Sequence, residues 1–191
     1  MDDDEAPRPG WKRAVAVVLG VALFLASALA VNWFVGRGDR AAQSRVNRYQ
    51  AGRGGEAFVS REEQFRAIFP GSPTRSTRHP GGASTAITGY ASGSNNAQFA
   101  VSTFPLAPEV AFDFDRAVNG ITTGAKGRLV NSTPTTFEGD PAAECLISVG
   151  NAFLKALVVR APSRVYQVQV LGRESPPRGY DRFKASFHIQ R

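Results

Sequence analysis

The hydrophobic positions of this sequence divide it into one continuous apolar stretch and a longer region of alternating apolar and polar residues. Residues 14–36 contain no charged side chain and are rich in Val, Leu and Ala. As a helix rising about 1.5 Å per residue, this stretch would span roughly 34 Å, enough to cross a hydrocarbon core of about 30 Å. Trp11 and Trp33 lie near its two ends, where indole rings prefer the membrane interface. The pattern predicts one transmembrane helix.

A cleaved signal peptide is the alternative interpretation of this segment. Ala28-Leu29-Ala30 has the small-x-small pattern of a cleavage site. A signal h-region usually has about 7 to 15 residues, whereas this stretch continues through Val35, which favours an uncleaved anchor. More basic residues follow the segment than precede it, but long domains translocate largely regardless of charge. We expect a single-pass protein of the cell membrane with a cytoplasmic N-terminus and an extracytoplasmic C-terminal domain.

The remaining pattern predicts an α+β domain built on a mostly antiparallel sheet. Alternating apolar residues, punctuated by Gly and Pro turns, indicate strands joined by short connections. Strands are expected in two groups, near 65–69, 74–78, 84–91 and 99–103, and near 128–131, 142–149, 153–160 and 165–171. The last residues, 180–189, fit a short helix or a final strand. The three consecutive strands at 74–78, 84–91 and 99–103 should form an antiparallel meander.

One main helix is predicted between the two groups of strands. Pro108-Glu109 has the composition of a helix start, and apolar residues then recur at helical spacing as far as Ile121. Gly124 is a plausible end of the helix. We expect the face that carries Phe114 and Val118 to pack on the sheet.

Composition and charge divide the chain into four parts. We assign a polar tail to 1–13, the transmembrane helix to 14–36, a basic flexible tether to 37–55 and a soluble α+β domain to 56–191. The whole chain carries a net charge of +7, and the tether alone contains five arginines against one acidic residue. The bases of the domain form no run or stripe, which argues against a nucleic-acid partner. The predicted lipid contact is with the bilayer through 14–36.

Part of the domain resembles a known fold. The positions that carry the resemblance are Phe65-x-x-x-Phe69-Pro70-Gly71-x-Pro73, a strand ending near Phe104, the Val165-Tyr166-Gln167-Val168 strand and a terminal Phe183-x-x-Ser186-Phe187. This layout is similar to that of bacterial membrane-anchored or lipoprotein domains, which in turn resemble the PsbP-like α+β fold. The resemblance implies a fold and an accessory or binding role, and it carries no catalytic residue.

The candidates for nucleophilic chemistry are few. A catalytic serine needs a base, usually His, held by a carboxylate. His79 lies in a Pro-Gly turn and is expected to be exposed, whereas His188 is expected at the edge of the core. Residues 82–86 begin like a nucleophile elbow but lack its closing glycine. We assign no catalytic residue and no nucleotide site, since no Walker or dinucleotide glycine pattern is present.

Metal and cofactor sites are not indicated either. Asp113 and Asp115 would point about 200° apart on a helix, so they read as solvated positions beside Phe114. Glu62-Glu63, and Glu138 with Asp140, read as loop and turn residues. The single cysteine, Cys145, lies in an apolar run and is expected to be buried. We therefore assign no metal ligand and no cofactor.

Two functional hypotheses remain open. The first is a binding or accessory module of the bacterial cell envelope, with a possible envelope protein partner; exposed aromatics such as Tyr90, Tyr166 or Tyr180 on a sheet face would support it. The alternative is an envelope enzyme whose site combines His79 or His188 with Asp140 or Asp181. A purely structural or assembly role is a third reading.

Overall fold

Two antiparallel sheets and two helices make up the part of the chain that the computed structural model describes, residues 57–79, 85–93 and 97–191. The predicted tail, membrane segment and tether lie outside these residues. No helix in the described ranges combines the length and the hydropathy that a bilayer crossing requires. The predicted α+β class is confirmed, with two helices rather than one main helix.

The elements follow one another in a simple order along the chain. They are β1 (Phe58–Ser60), β2 (Phe65–Ala67), β3 (Thr74–Arg78), β4 (Ile87–Gly93), β5 (Ala97–Pro105), α1 (Phe114–Gly124), β6 (Arg128–Phe137), β7 (Asp140–Val149), β8 (Ala152–Ala161), β9 (Arg164–Gly172), α2 (Tyr180–Ser186) and β10 (His188–Ile189). The larger sheet has the order β3-β4-β5-β9-β8-β7-β6, and a smaller sheet has the order β1-β2-β10. The predicted meander is confirmed as β3-β4-β5.

Tight turns set the register of the second group of strands. Glu138 and Gly139 form the two-residue turn between β6 and β7 with φ values of 51° and 87°. Positive φ at both positions is the geometry of the turn that best matches the twist of a hairpin. Gly150 opens the two-residue turn between β7 and β8 with φ of 55°. Strand β9 then pairs with β5, which joins the two groups into one sheet.

The main helix begins later than the sequence pattern suggested. Pro108 and Glu109 lie in a turn, closed by a hydrogen bond from Val110 N to Ala107 O of 3.1 Å, and not in a helix. Helix α1 starts at Phe114 because Asp113 caps it, accepting a hydrogen bond of 2.9 Å from the Arg116 backbone N–H. The helix ends at Gly124, as predicted.

The central strands of the larger sheet are buried on both faces, and each face has its own core. Helix α1 covers one face, where Val118 and Ile121 pack against residues of β7 and β8. The smaller sheet and α2 cover the opposite face. The rings that fill this second core are Phe65, Phe69, Tyr90, Tyr166, Tyr180, Phe183 and Phe187. Phe65 is fully buried and lies within ring-contact distance of Tyr90 and Phe187, at 5.4 Å and 5.8 Å between centroids.

Gly127 marks the closest approach between the end of α1 and the sheet. A Cβ atom at this position would lie 2.5 Å from Ile147 Cγ2 and 2.7 Å from the Ser148 backbone oxygen. We predict that Gly127→Ala lowers the free energy of unfolding by about 2 kcal/mol, because backbone cannot yield as a flexible side chain does. Urea unfolding followed by circular dichroism measures this change.

Gly71→Ala is the matched control, since its added methyl would meet only Ser92 Oγ at 3.4 Å. We expect this control to change the unfolding free energy by less than about 0.5 kcal/mol. Equal stability of the two variants would contradict the packing of α1 on this part of the sheet.

Candidate functional site

The three tyrosines whose exposure would have supported a binding surface are all buried. Tyr90, Tyr166 and Tyr180 are between 1% and 5% exposed, so they give the binding hypothesis no support. The rings lie in the second core because the smaller sheet and α2 cover this face. Burial raises the pKa of Tyr166 to about 12. The predicted burial of Cys145 is confirmed, and desolvation raises the pKa of its thiol to about 12.

His188 contacts a carboxylate, but not either of the expected ones. Its Nδ1 lies 2.7 Å from Glu138 Oε1, and the other Glu138 oxygen accepts a hydrogen bond of 3.0 Å from Ile189 N. Asp140 pairs instead with Arg191 at 3.0 Å. Glu138 therefore fastens the C-terminal strand to the β6–β7 turn.

No ion pair among the described residues joins His79 or His188 to Asp140 or Asp181. Asp181 lies 4.0 Å from Lys155 Nζ, at the limit of an ion pair. His79 is exposed just after β3, as predicted, and forms no ion pair or hydrogen bond with the described residues. Asp113 serves as the cap of α1, and Asp115 lies in the first turn of that helix. Across the described ranges, no three His, Cys, Asp or Glu side chains cluster in a way that could hold a metal ion.

Glu63 is a buried carboxylate that sequence reasoning treated as an ordinary loop residue. It lies in the turn between β1 and β2 and is 2% exposed. Ser60 Oγ donates to its carboxylate, Tyr90 Oη donates at 2.7 Å, and Arg75 Nη2 donates at 3.0 Å. Burial raises the pKa of Glu63, but these donors outweigh it and hold the pKa below its ordinary value.

The Glu63 cluster joins the smaller sheet to the larger one. Arg75 and Tyr90 are opposite residues of β3 and β4, and Arg75 Nε donates to Tyr90 Oη at 3.1 Å. Tyr166 of β9 donates to the Glu63 backbone oxygen at 2.9 Å. Both carboxylate oxygens are therefore occupied by protein donors, which is the arrangement of a structural ion pair.

A second set of buried polar side chains lies on the larger sheet, on the same face as helix α1. We call Gln98, Ser102, Gln167 and Gln169 the glutamine row. Gln98 and Ser102 belong to β5, whereas Gln167 and Gln169 belong to β9. Ser102 is directly opposite Gln167, and Ala100 is directly opposite Gln169, so alternation places all four polar side chains on one face. Each of the four is between 1% and 5% exposed.

The glutamine row has hydrogen-bonding capacity that the described protein atoms leave unused. Gln167 Nε2 donates to Gln169 Oε1. Among the described residues, Gln169 Nε2 has no acceptor and Gln98 Oε1 has no donor, although both atoms are buried. A buried polar group without a partner costs about 1–3 kcal/mol. The row therefore presents one free donor and one free acceptor on adjacent strands.

The surroundings of the row are small and uncharged. Gly89 and Ala91 of β4 lie opposite Ser102 and Ala100. A group that both donates and accepts, such as a hydroxyl, matches the free pair of atoms. The row itself contains no ionisable group and therefore no group for proton transfer.

Sequence reasoning missed this row for a physical reason. In β9 the glutamines alternate with Tyr166, Val168 and Val170. Such alternation normally predicts that the polar positions face solvent. The signal that could have found the row is the pair of apolar residues, Val165 and Leu171, that flank the glutamines on the same face.

The comparisons with known proteins bear on the fold. No protein-family model matches the chain, and no curated protein sequence matches it. The solution structure of the cyanobacterial PsbP protein CyanoP from Synechocystis sp. PCC 6803 is similar, with a TM-score of 0.51 and 13% identity. The match covers 80% of this chain and 98% of that chain. A protein from Pseudomonas aeruginosa, PA94, matches with a TM-score of 0.35 and 11% identity over 53% of this chain and 84% of that one.

Together, the two sheets and the similarity to CyanoP define an α+β domain with a PsbP-like fold. The resemblance inferred from the phenylalanine and proline positions is confirmed at the level of the fold. At 13% identity the similarity shows the fold and not the function.

The buried ion pair of Glu63 predicts a pH-dependent stability. The folded-state pKa of Glu63 lies below its ordinary value of 4.5, so the stabilising contribution is complete above about pH 4.5 and is lost as the pH falls through the folded-state pKa. We predict that Glu63→Gln lowers the unfolding free energy by about 2 kcal/mol near neutral pH, because three donors lose an ionised acceptor. The difference from the unmodified protein should narrow below about pH 4.5, as measured by urea unfolding at several pH values.

Glu62→Gln is the control, because Glu62 binds the same arginine at 2.9 Å but its side chain is 74% exposed. We expect this control to cost less than about 1 kcal/mol at every pH. A Glu63→Gln effect that stays constant down to pH 3 would refute the assignment of an ionised, stabilising Glu63.

Proposed function

We propose that this protein is a membrane-anchored, extracytoplasmic binding module of the bacterial cell envelope. In this proposal residues 14–36 anchor the chain, residues 37–55 tether the domain, and the glutamine row binds a neutral, hydroxyl-rich ligand such as a glycan. The anchor and the orientation come from the sequence pattern alone. An envelope protein partner, expected from the sequence, stays a prediction.

The observation that carries the proposal is the unused donor and acceptor of the glutamine row. A hydroxyl group can accept from Gln169 Nε2 and donate to Gln98 Oε1 at the same time. The free side-chain groups lie on the face of the sheet and not at a strand edge. An extended peptide that lay flat on this face would direct its backbone N–H groups parallel to the sheet, and therefore away from the free groups. This difference favours a polyhydroxyl ligand over an extended peptide.

The ionisable residues support binding rather than catalysis. Glu63 is surrounded by three donors, and Glu138 holds His188 and the backbone of Ile189. These groups fasten strands together, which is a structural use of charge. The PsbP-like fold is compatible with an accessory or binding role.

Replacing the free acceptor separates ligand binding from stability. Gln98→Met keeps nearly the same volume but removes the amide, so we expect an unchanged or slightly higher unfolding temperature. We expect the affinity for a bound saccharide to fall at least tenfold, because the ligand hydroxyl loses its acceptor. Saturation-transfer NMR with N,N′-diacetylchitobiose and with maltose, on the full chain in nanodiscs, measures binding.

The control for this experiment is Gln190→Met, since Gln190 is half-buried in the C-terminal segment and its backbone N–H binds Gln64. This variant should bind both saccharides as the unmodified protein does. If neither saccharide binds the unmodified protein but an uncharged tripeptide does, the glycan assignment is wrong. A large loss of stability in Gln98→Met would show that the amide is part of the folded core and not a ligand group.

The orientation is tested with cysteine labelling in intact cells. In a Cys145→Ala background, Thr133→Cys places a thiol on the exposed face of β6. We predict that a membrane-impermeant maleimide labels this position without permeabilisation. Asp3→Cys in the same background should react only after the membrane is opened, and the reverse result would overturn the proposed topology.

A further inference from the structure

The outer face of the smaller sheet is an exposed surface of mixed apolar and basic character. Phe58, Phe65 and Ala67 point into the second core, so the alternate positions of β1 and β2 point outward. Val59 lies directly opposite Arg66 across these strands, and Ile68 follows on the same outer side. Val59 is 47% exposed and Ile68 is 38% exposed.

This surface holds two of the three large apolar side chains that are exposed in the described ranges. The third, Val130, lies on β6 at the far edge of the larger sheet. Because Val59 and Ile68 are diagonal neighbours on adjacent strands, they form one continuous patch.

The uncompensated charge beside the patch is positive. Arg61 lies in the turn after β1, and Arg66 lies between the two apolar side chains; neither forms an ion pair with a described residue. The carboxylates of the neighbouring turns are occupied, since Glu62 and Glu63 bind Arg75 and Glu138 contacts His188. A partner with negative charge and an apolar layer beneath it would complement this surface.

The position of the patch along the chain points to one such partner. Twenty residues, 37–56, separate the apolar segment from the first described residue. If these residues form the flexible tether that their composition predicts, the root-mean-square span is about 25 Å, compared with a radius of gyration of about 14 Å for a domain of this size. An anchored domain would therefore stay beside the bilayer, where weak contacts are enough to set its orientation.

We propose that the patch formed by Val59, Arg66 and Ile68, with Arg61 beside it, rests on the anionic headgroup surface of the membrane that anchors the chain. This inference rests on the anchor in the proposed function. It assigns the smaller sheet to the membrane-facing side of the domain. The β6 edge and the Val130 side chain then remain in water.

The test uses the full chain in vesicles, with a nitroxide on a single introduced cysteine in a Cys145→Ala background. Val59→Cys reports on the patch, and Val130→Cys is the matched control because Val130 is 46% exposed. In phosphatidylcholine vesicles containing about one third phosphatidylglycerol, we expect the label at position 59 to be accessible to oxygen and shielded from a soluble nickel chelate. The label at position 130 should be fully accessible to the chelate.

The charge dependence is tested with Arg66→Glu, an exposed substitution that should leave the fold intact. We expect it to lower the membrane-contacting fraction of the label at position 59 at least tenfold, and pure phosphatidylcholine vesicles should give the same loss. Equal chelate accessibility at positions 59 and 130 would overturn the proposal. Shielding of position 59 that does not depend on the lipid would also overturn it, in favour of a protein partner.

Alkaline carbonate extraction distinguishes a failure of the proposed membrane anchor from a failure of the proposed docking of the patch. If the protein is released from the vesicles, the anchor itself is wrong and the docking proposal falls with it. If the protein is retained but position 59 is fully accessible to the chelate, only the docking proposal is wrong.

Discussion

The need to cover a sheet on both faces governs this structure. Strand β9 lies at the centre of the larger sheet, and nearly all of its residues are buried, whichever face they point to. A sheet of this kind cannot leave either face in water, because each exposed apolar side chain would cost about 1.5–3 kcal/mol of burial. Helix α1 covers one face, and the second face requires the smaller sheet and α2 together. The arrangement of the remaining elements follows from this division.

The two faces are stabilised by different kinds of contact. The helix-covered face relies on aliphatic packing around Val118 and Ile121. The opposite face relies on aromatic rings and on the Glu63 cluster, in which one buried carboxylate connects β1, β3 and β4. This cluster specifies geometry, since removal of its donors would leave the buried Glu63 carboxylate without compensation. The Glu63 cluster thus sets the position of the smaller sheet, while apolar burial contributes to its stability.

The sequence predicted elements best where local chemistry and tertiary packing agree. The strand predicted at 74–78 coincides with β3, because turn residues bound it on both sides. The start of α1 was misplaced because Pro108 resembles a helix start, whereas the hydrogen bond that fixes the start comes from Asp113. Strands β1 and β10 have three and two residues, too few to show a period.

The same limits apply to the candidate site. The glutamines of β9 alternate with apolar residues as in a half-exposed strand, and only the assembled sheet shows that they are buried. The burial of Tyr90, Tyr166 and Tyr180 was not visible in the local pattern either, because the layer that covers them is built from both ends of the domain.

That covering layer has a consequence for the order in which the domain folds. Strand β10 pairs with β2, so residues 188 and 189 complete a sheet that begins at residue 58. During synthesis, the N-terminal strands must wait for residues 188 and 189 before this pairing can form. Until then the aromatic core lacks Phe187 and part of its cover, which exposes it to chaperones and proteases. Without residues 187–189, the aromatic core would lack one ring and the β2–β10 pairing that helps to cover it.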